Sequence, residues 1–138
     1  MNEHTIIEKL ESSPFWSLLG IKVVKLEVGL SEVYLPFKPE LEQIFSTMHG
    51  GVIATLLDAA GGTAFFKMID LENVYTRTIE IKVNYLKPVL RDQKAITAIG
   101  KVIKKGRRIG VSSIEVKNTS NELVAFGIGT FALFPKED

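Results

Sequence analysis

His49, Gly50 and Gly51 form a His-Gly-Gly turn, and eight positions after its first glycine stands a lone carboxylate, Asp58, in the apolar run VIATLLDAAGGTAFF. A helix opening at a glycine pair leaves its first backbone N–H groups unpaired and carries partial positive charge there. Such an end can polarise a carbonyl and hold the oxyanion that forms on attack. Asp58 is the complementary group. It could attack the carbonyl directly, giving a mixed anhydride, or act as general base on a water. No cation lies within one turn of it on either side, so burial is expected to raise its pKa. His49 is read as a loop-shaping hydrogen bonder that supports the reaction.

The run from Gly50 to Phe66 must be the element that positions these groups. Having no polar stripe, it is expected to be a helix buried on nearly all sides. Before it, His4 to Leu10 reads as a short amphipathic helix ended by Pro14, and Phe15, Trp16, Leu18 and Leu19 form an apolar knot. Residues 1–19 are thus a helical lead-in. Ile21 to Phe37 reads as extended with a kink at Gly29, and a loop runs from Pro36 to about Thr47. After the helix, strands are expected at about Tyr75–Leu86, Lys94–Lys104, Arg107–Lys117 and Leu123–Phe134. Gly127 and Gly129 share a face with Ala125, which would let the helix approach the sheet closely. The expectation is an α+β domain over residues 1–138: an antiparallel meander, curved around one long central helix.

Composition narrows the function. The 138 residues are 46% hydrophobic and 24% charged, with a net charge of +1, which gives no reason to expect nucleic acid or a membrane surface as partner. Without cysteine, disulfide and thiolate chemistry are excluded. The two histidines, His4 and His49, offer no metal-ligand spacing. The charged N-terminus lacks the apolar core of a signal peptide, and the apolar segment is short for a membrane span, so a cytoplasmic location is expected.

HGGVIATLLDAAGG, then TIEIKVNYLKP, then KKGRRIG together resemble the hotdog-fold acyl-CoA thioesterases, in their phenylacetate-pathway (PaaI-like) branch. The resemblance spans about Gln43 to Phe134 and implies a hotdog fold that hydrolyses acyl-CoA to free acid and coenzyme A. No cofactor is implied beyond the coenzyme A of the substrate. It also implies that Asp58 is the catalytic carboxylate and that Gly50 and Gly51 form the oxyanion turn. Gln43 matches the family's Asn or Gln before the histidine, where it orients water or bonds the acyl carbonyl, although an exposed loop amide is the plainer reading. Where many members carry glycine three residues before the histidine, this chain has Ser46. Thr78 matches a pocket-lining Ser or Thr, but strand alternation could also put it on the outer face. Leu86, Lys87, Pro88 and Val89 match the segment bordering coenzyme A, as do Lys104, Lys105, Gly106, Arg107 and Arg108. Alone, that basic run reads as a solvated hairpin tip, the commoner case; the match in position sets beside it a role in holding the coenzyme's phosphates.

Eight helical residues separate Gly50 from Asp58 by about 12 Å along the axis, too far for one thioester carbon to meet both easily. The simpler solution takes Gly50 from one protomer and Asp58 from another, in a homodimer that can double to a homotetramer as a dimer of dimers. The resemblance implies the same. Two rival functions use the same fold: a non-catalytic acyl-CoA sensor, which gives no reason to bury Asp58, and an acyl-thioester dehydratase, which would pair a histidine with an acid differently.

Overall fold

The computed structural model describes residues 1–137. Helix α1 (Glu3–Glu11) is capped by Asn2, whose side chain accepts from the Thr5 N–H at 2.9 Å. Pro14 does not simply end this helix. It opens α2 (Pro14–Leu19), because proline's missing N–H is harmless in a first helical turn. The expected apolar knot is therefore a helical turn, closed by Gly20 in the left-handed region, φ 88°.

Strands β1 (Lys22–Glu27) and β2 (Leu30–Pro36) pair antiparallel. The segment expected to be extended with a kink is thus a hairpin. Gly29, at φ 74°, reverses the chain instead of bending it. Helix α3 (Gly50–Thr63) follows, then β3 (Val74–Tyr85), β4 (Ala95–Lys105), β5 (Ile109–Asn118) and β6 (Leu123–Pro135). All pairings are antiparallel, in the order β1-β2-β4-β5-β6-β3. Only β4, β5 and β6 form a meander. β3 crosses to the far edge and pairs with β6, not with β4. Alternation within a strand fixes which side chains face the core, not which strand lies alongside.

The sheet curves around α3, with Leu56, Leu57 and Ala60 packed against Val33, Leu35, Ala98, Ile114 and Val116. The tightest approach is at Gly100 on β4, where a Cβ would lie 2.3 Å from the carbonyl oxygen of Ala60. Of the two glycines expected to admit the helix, Gly127 does so: a Cβ there would meet Leu57 Cδ1 at 2.6 Å. At Gly129 it would meet the Phe131 ring instead. The last turn of α3 keeps its buried polar groups satisfied. Ser112 Oγ donates to the Gly61 carbonyl at 3.1 Å, and Thr63 Oγ1 donates to that of Ala59 at 2.7 Å.

The helix is not buried on all sides. Ile53, Leu56, Leu57 and Ala60 are covered by the sheet, but Gly51 is exposed and Ala54, Thr55, Asp58 and Ala59 are only half-buried. Apolarity on the open face reflects small residues without a cover inside this chain. β3 is also open, with its second hydrogen-bonding edge unpaired along 12 residues. Among the described residues, no helix is long and apolar enough to cross a membrane.

Candidate active site

His49 starts α3. Its backbone is extended (φ −60°, ψ 133°), and its Nδ1 accepts from the Gly51 N–H at 2.8 Å. With Nδ1 as acceptor, the neutral ring carries its proton on Nε2. The Val52 N–H donates to the His49 carbonyl at 3.0 Å, and that of Ile53 reaches the same oxygen at 3.4 Å. Gly50 alone is left at this end with an N–H that has no acceptor among the described residues. The helix N-terminus therefore offers one free donor, while Gly51 is engaged by the cap. Tyr85 fixes the turn from the other side, its hydroxyl donating to the Gly50 carbonyl at 2.6 Å.

Asp58 lies two turns further on. Its Oδ1 accepts from Thr78 Oγ1 at 2.7 Å. Burial raises its pKa above the ordinary carboxylate value, and the Thr78 hydrogen bond opposes that rise in part. Thr78 is thus on the helix side of the sheet. A bulge between Thr78 and Glu80 makes this possible. Before it, Thr76 and Thr78 face α3; after it, Ile81 and Val83 pack on the core. The alternation that sets Ile79 with Ile81 and Val83 breaks here, and Ile79 is left exposed.

A hollow of about 170 Å³ opens beside Asp58, walled by Leu10, Trp16, Phe66, Thr76 and Phe131. A second cleft of about 290 Å³ lies at the Gly50 end, lined by Met48, Ile53, Tyr85, Leu86, Lys87 and Pro88. The two share no lining residue. Val89 belongs to neither: it is fully buried, and its carbonyl accepts from the Met48 N–H at 2.9 Å, so it shapes the cleft from behind.

Gln43 is occupied within its own loop. Its Nε2 donates to Thr47 Oγ1 at 2.5 Å and its Oε1 accepts from the Phe45 N–H at 2.6 Å, leaving one N–H for a ligand. Ser46, in the place where many family members carry glycine, is left-handed at φ 63°. Lys104, Lys105, Gly106, Arg107 and Arg108 form the exposed β4–β5 turn. Lys105 and Arg107 border a cleft with Val74 and Pro135, beside the start of β3. Leu86 follows its end, about 40 Å away for a strand of this length. One chain therefore brings together Asp58 with Thr78, and Gly50 with Leu86 to Pro88. It does not bring these two groups together, nor the basic turn to the Gly50 cleft.

Leu10 and Thr76 at the Asp58 hollow were not legible as site residues, because contacts across such sequence separations leave no local pattern. Tyr85 could be found through the Tyr-Leu-x-Pro segment, although nothing in its spacing shows the bond to Gly50.

Residues 45–125 match the thioesterase superfamily. A Saccharolobus solfataricus protein provisionally named as an esterase, SSO2140, is 32% identical over 88% of this chain and 84% of its own length. The medium/long-chain acyl-CoA thioesterase YigI of Escherichia coli K12 is 25% identical, over 86% of this chain and 84% of its own. Among solved structures, the thioesterase HI1161 of Haemophilus influenzae superposes with a TM-score of 0.85 at 25% identity, covering 98% of this chain and 92% of that one.

Proposed function

We propose that this chain, which belongs to the thioesterase superfamily, hydrolyses acyl-CoA thioesters to a carboxylic acid and coenzyme A. The observation that carries this reading is Asp58. It is a half-buried carboxylate of raised pKa, held by Thr78 beside a hollow whose Leu10, Trp16, Phe66 and Phe131 walls suit an acyl group. A structural role does not account for it, since no cation pairs with it among the described residues.

In the reaction, Asp58 takes a proton from water as the water oxygen attacks the thioester carbon, or attacks that carbon itself to form an anhydride that water then opens. The carbonyl oxygen gains negative charge against the Gly50 N–H. The carbon–sulfur bond breaks, and the departing sulfur leaves as thiolate or collects a proton as the free thiol. His49 holds the Gly50 turn in shape and needs no proton-transfer role.

The site is proposed to be shared between two protomers. The separation of Gly50 from Asp58, their two unconnected clefts, the open face of α3 and the unpaired edge of β3 all favour this. Antiparallel pairing of two β3 strands centred near Ile81 would set one protomer's Tyr85, with Gly50 bonded to it, beside the other's Thr76 and Thr78. The same pairing brings the basic β4–β5 turn of one chain to Leu86–Pro88 of the other, where the coenzyme's phosphates would lie. A dimer of dimers would cover the outer sheet face, where Phe126 and Ile128 stand exposed.

The test is thiol release from short, long and aryl acyl-CoAs by wild type and Asp58→Asn. Turnover that falls by roughly 10²–10⁴ in the variant, the usual worth of a general base, supports the reading. Tight acyl-CoA binding with no turnover in wild type would identify a sensor instead.

A further inference from the structure

Two large apolar side chains stand at the tip of the loop before α3 with nothing among the described residues to cover them: Ile44 is 89% exposed and Phe45 78%. The tip is held in place. Arg91 Nη2 donates to Glu42 Oε2 at 2.8 Å at its base, Gln43 binds both Thr47 and the Phe45 N–H, and Ser46 turns the chain at φ 63°. A loop braced by an ion pair, a side-chain amide and a left-handed residue keeps a phenyl ring in water. Such a fixed apolar projection implies a cover.

The loop's place says what that cover is. The Met48 N–H bonds to the Val89 carbonyl at 2.9 Å and the His49 N–H to that of Leu41 at 2.8 Å, which ties the loop to the rim of the Gly50 cleft. Whatever faces Gly50 therefore also faces the tip. On the reading that Gly50 serves a second protomer's carboxylate, that protomer brings toward the tip the hollow beside its Asp58, walled by Leu10, Trp16 and Phe66.

We propose that Phe45 of each protomer closes the hollow beside the partner's Asp58, opposite Trp16 and Leu10, and so sets the acyl length the enzyme accepts. This rests on the shared-site reading. The hollow, at about 170 Å³, is close to the size of a cavity of about 150 Å³ that holds one benzene. With Phe45 across its mouth it takes a short acyl chain or a single ring, and a longer chain runs into the Phe45 ring. Trp16 bounds it from within one chain and Phe45 from the other.

Heterodimers test this. A wild-type chain paired with an Asp58→Asn chain has one working site, built from the wild-type Asp58 and the variant chain's Gly50 and Phe45. Phe45→Ala on the Asp58→Asn chain should move the kcat/KM maximum to longer chains across a ladder from acetyl-CoA to palmitoyl-CoA. The gain should be roughly fourfold for each methylene newly covered. The same substitution on the other chain should leave the ladder profile in place. Phe45→Leu, which keeps an apolar contact, replaces Phe45→Ala if the dimer weakens, and Phe45→Trp should shift the profile to shorter chains. A shift that appears only with the substitution on the Asp58-bearing chain, or with neither, overturns the proposal. The shared site has its own control: turnover that persists with Gly50→Pro on the Asp58→Asn chain overturns that reading, whatever the ladder shows.

Discussion

The hydroxyl of Thr78 on β3 donates to Oδ1 of Asp58 on α3 at 2.7 Å, among the described residues the one direct bond between the sheet and the proposed catalytic carboxylate. It favours the ionised form, against the rise caused by burial. Thr78→Val should raise the Asp58 pKa further and move the acidic limb of the pH–rate profile to higher pH. Loss of orientation should lower plateau turnover about tenfold, the worth of one hydrogen bond. Thr78→Ser should restore both. An acidic limb that stays put in Thr78→Val would show that this bond does not act on the reacting carboxylate.

The same carboxylate sets a pH dependence of stability. Its folded pKa is raised, so above that value the protein carries the cost of a buried charge that the unfolded chain does not. As pH falls through the folded pKa, the folded state takes up its proton first and that cost is relieved. Asp58→Asn should therefore melt higher than wild type at neutral pH, and the gap should close as pH falls toward the ordinary aspartate value. Thermal melts along a pH series, with a gap widening on acidification as the contrary result, check the sign.

Gly50→Pro separates chemistry from folding. Proline is at home in the first turn of a helix, His49 before it is already extended, and a Cβ at Gly50 meets Tyr85 only at 3.4 Å. The fold should persist while the free N–H is lost, lowering kcat by about 10²–10³, as for removal of an oxyanion donor. Mixed one to one with Asp58→Asn chains, random pairing in a twofold dimer should restore about one quarter of wild-type turnover. Circular dichroism with the thiol assay reads both, and no recovery in verified heterodimers would place each site within one chain.

Removing two charges from the basic turn, as in Lys105→Ala with Arg107→Ala, should raise KM for acyl-CoA roughly threefold to thirtyfold at low salt while leaving kcat nearly unchanged. Added salt should erase the difference. A KM as salt-insensitive as before would return the turn to its plainer role as a solvated hairpin.

The central helix, five of the six strands and both later hairpins were legible because each rests on a local pattern: the apolar run, alternation, and Gly or Asn at a turn. β3's partner was not, since a pairing with β6 across forty or more residues is decided by how the chain crosses the helix end. The bulge after Thr78 was hidden for a related reason. Ile79, Ile81 and Val83 keep perfect alternation in the sequence, and only the pairing with Phe131 and Thr130 shows the extra residue. At the site, Gly50 and Asp58 stood out by chemistry, whereas Leu10 looked like any apolar helix residue until folding placed it beside the carboxylate.

Gly100→Ala should cost about 3 kcal/mol, an overpacking effect at the upper end of the usual range, because its Cβ would fall 2.3 Å from a backbone oxygen that cannot step aside. Chemical denaturation of wild type and variant measures it, with Gly20→Ala, which has open space around it but a left-handed backbone, as the comparison.

That contact has a mechanical outcome as well. Where main chain rests on main chain, there is no compliant side-chain cushion, so α3 can neither slide nor roll without dragging β4 along. The helix behaves as a fixed axle, with a hydrogen-bond donor at one station and an acid at the next, and their spacing stays constant through a catalytic cycle. The breathing that admits a thioester and lets go of the thiol then falls to the parts mounted around it: the Leu86–Lys87 segment, the N-terminal helices and, in the proposed dimer, the seam between protomers.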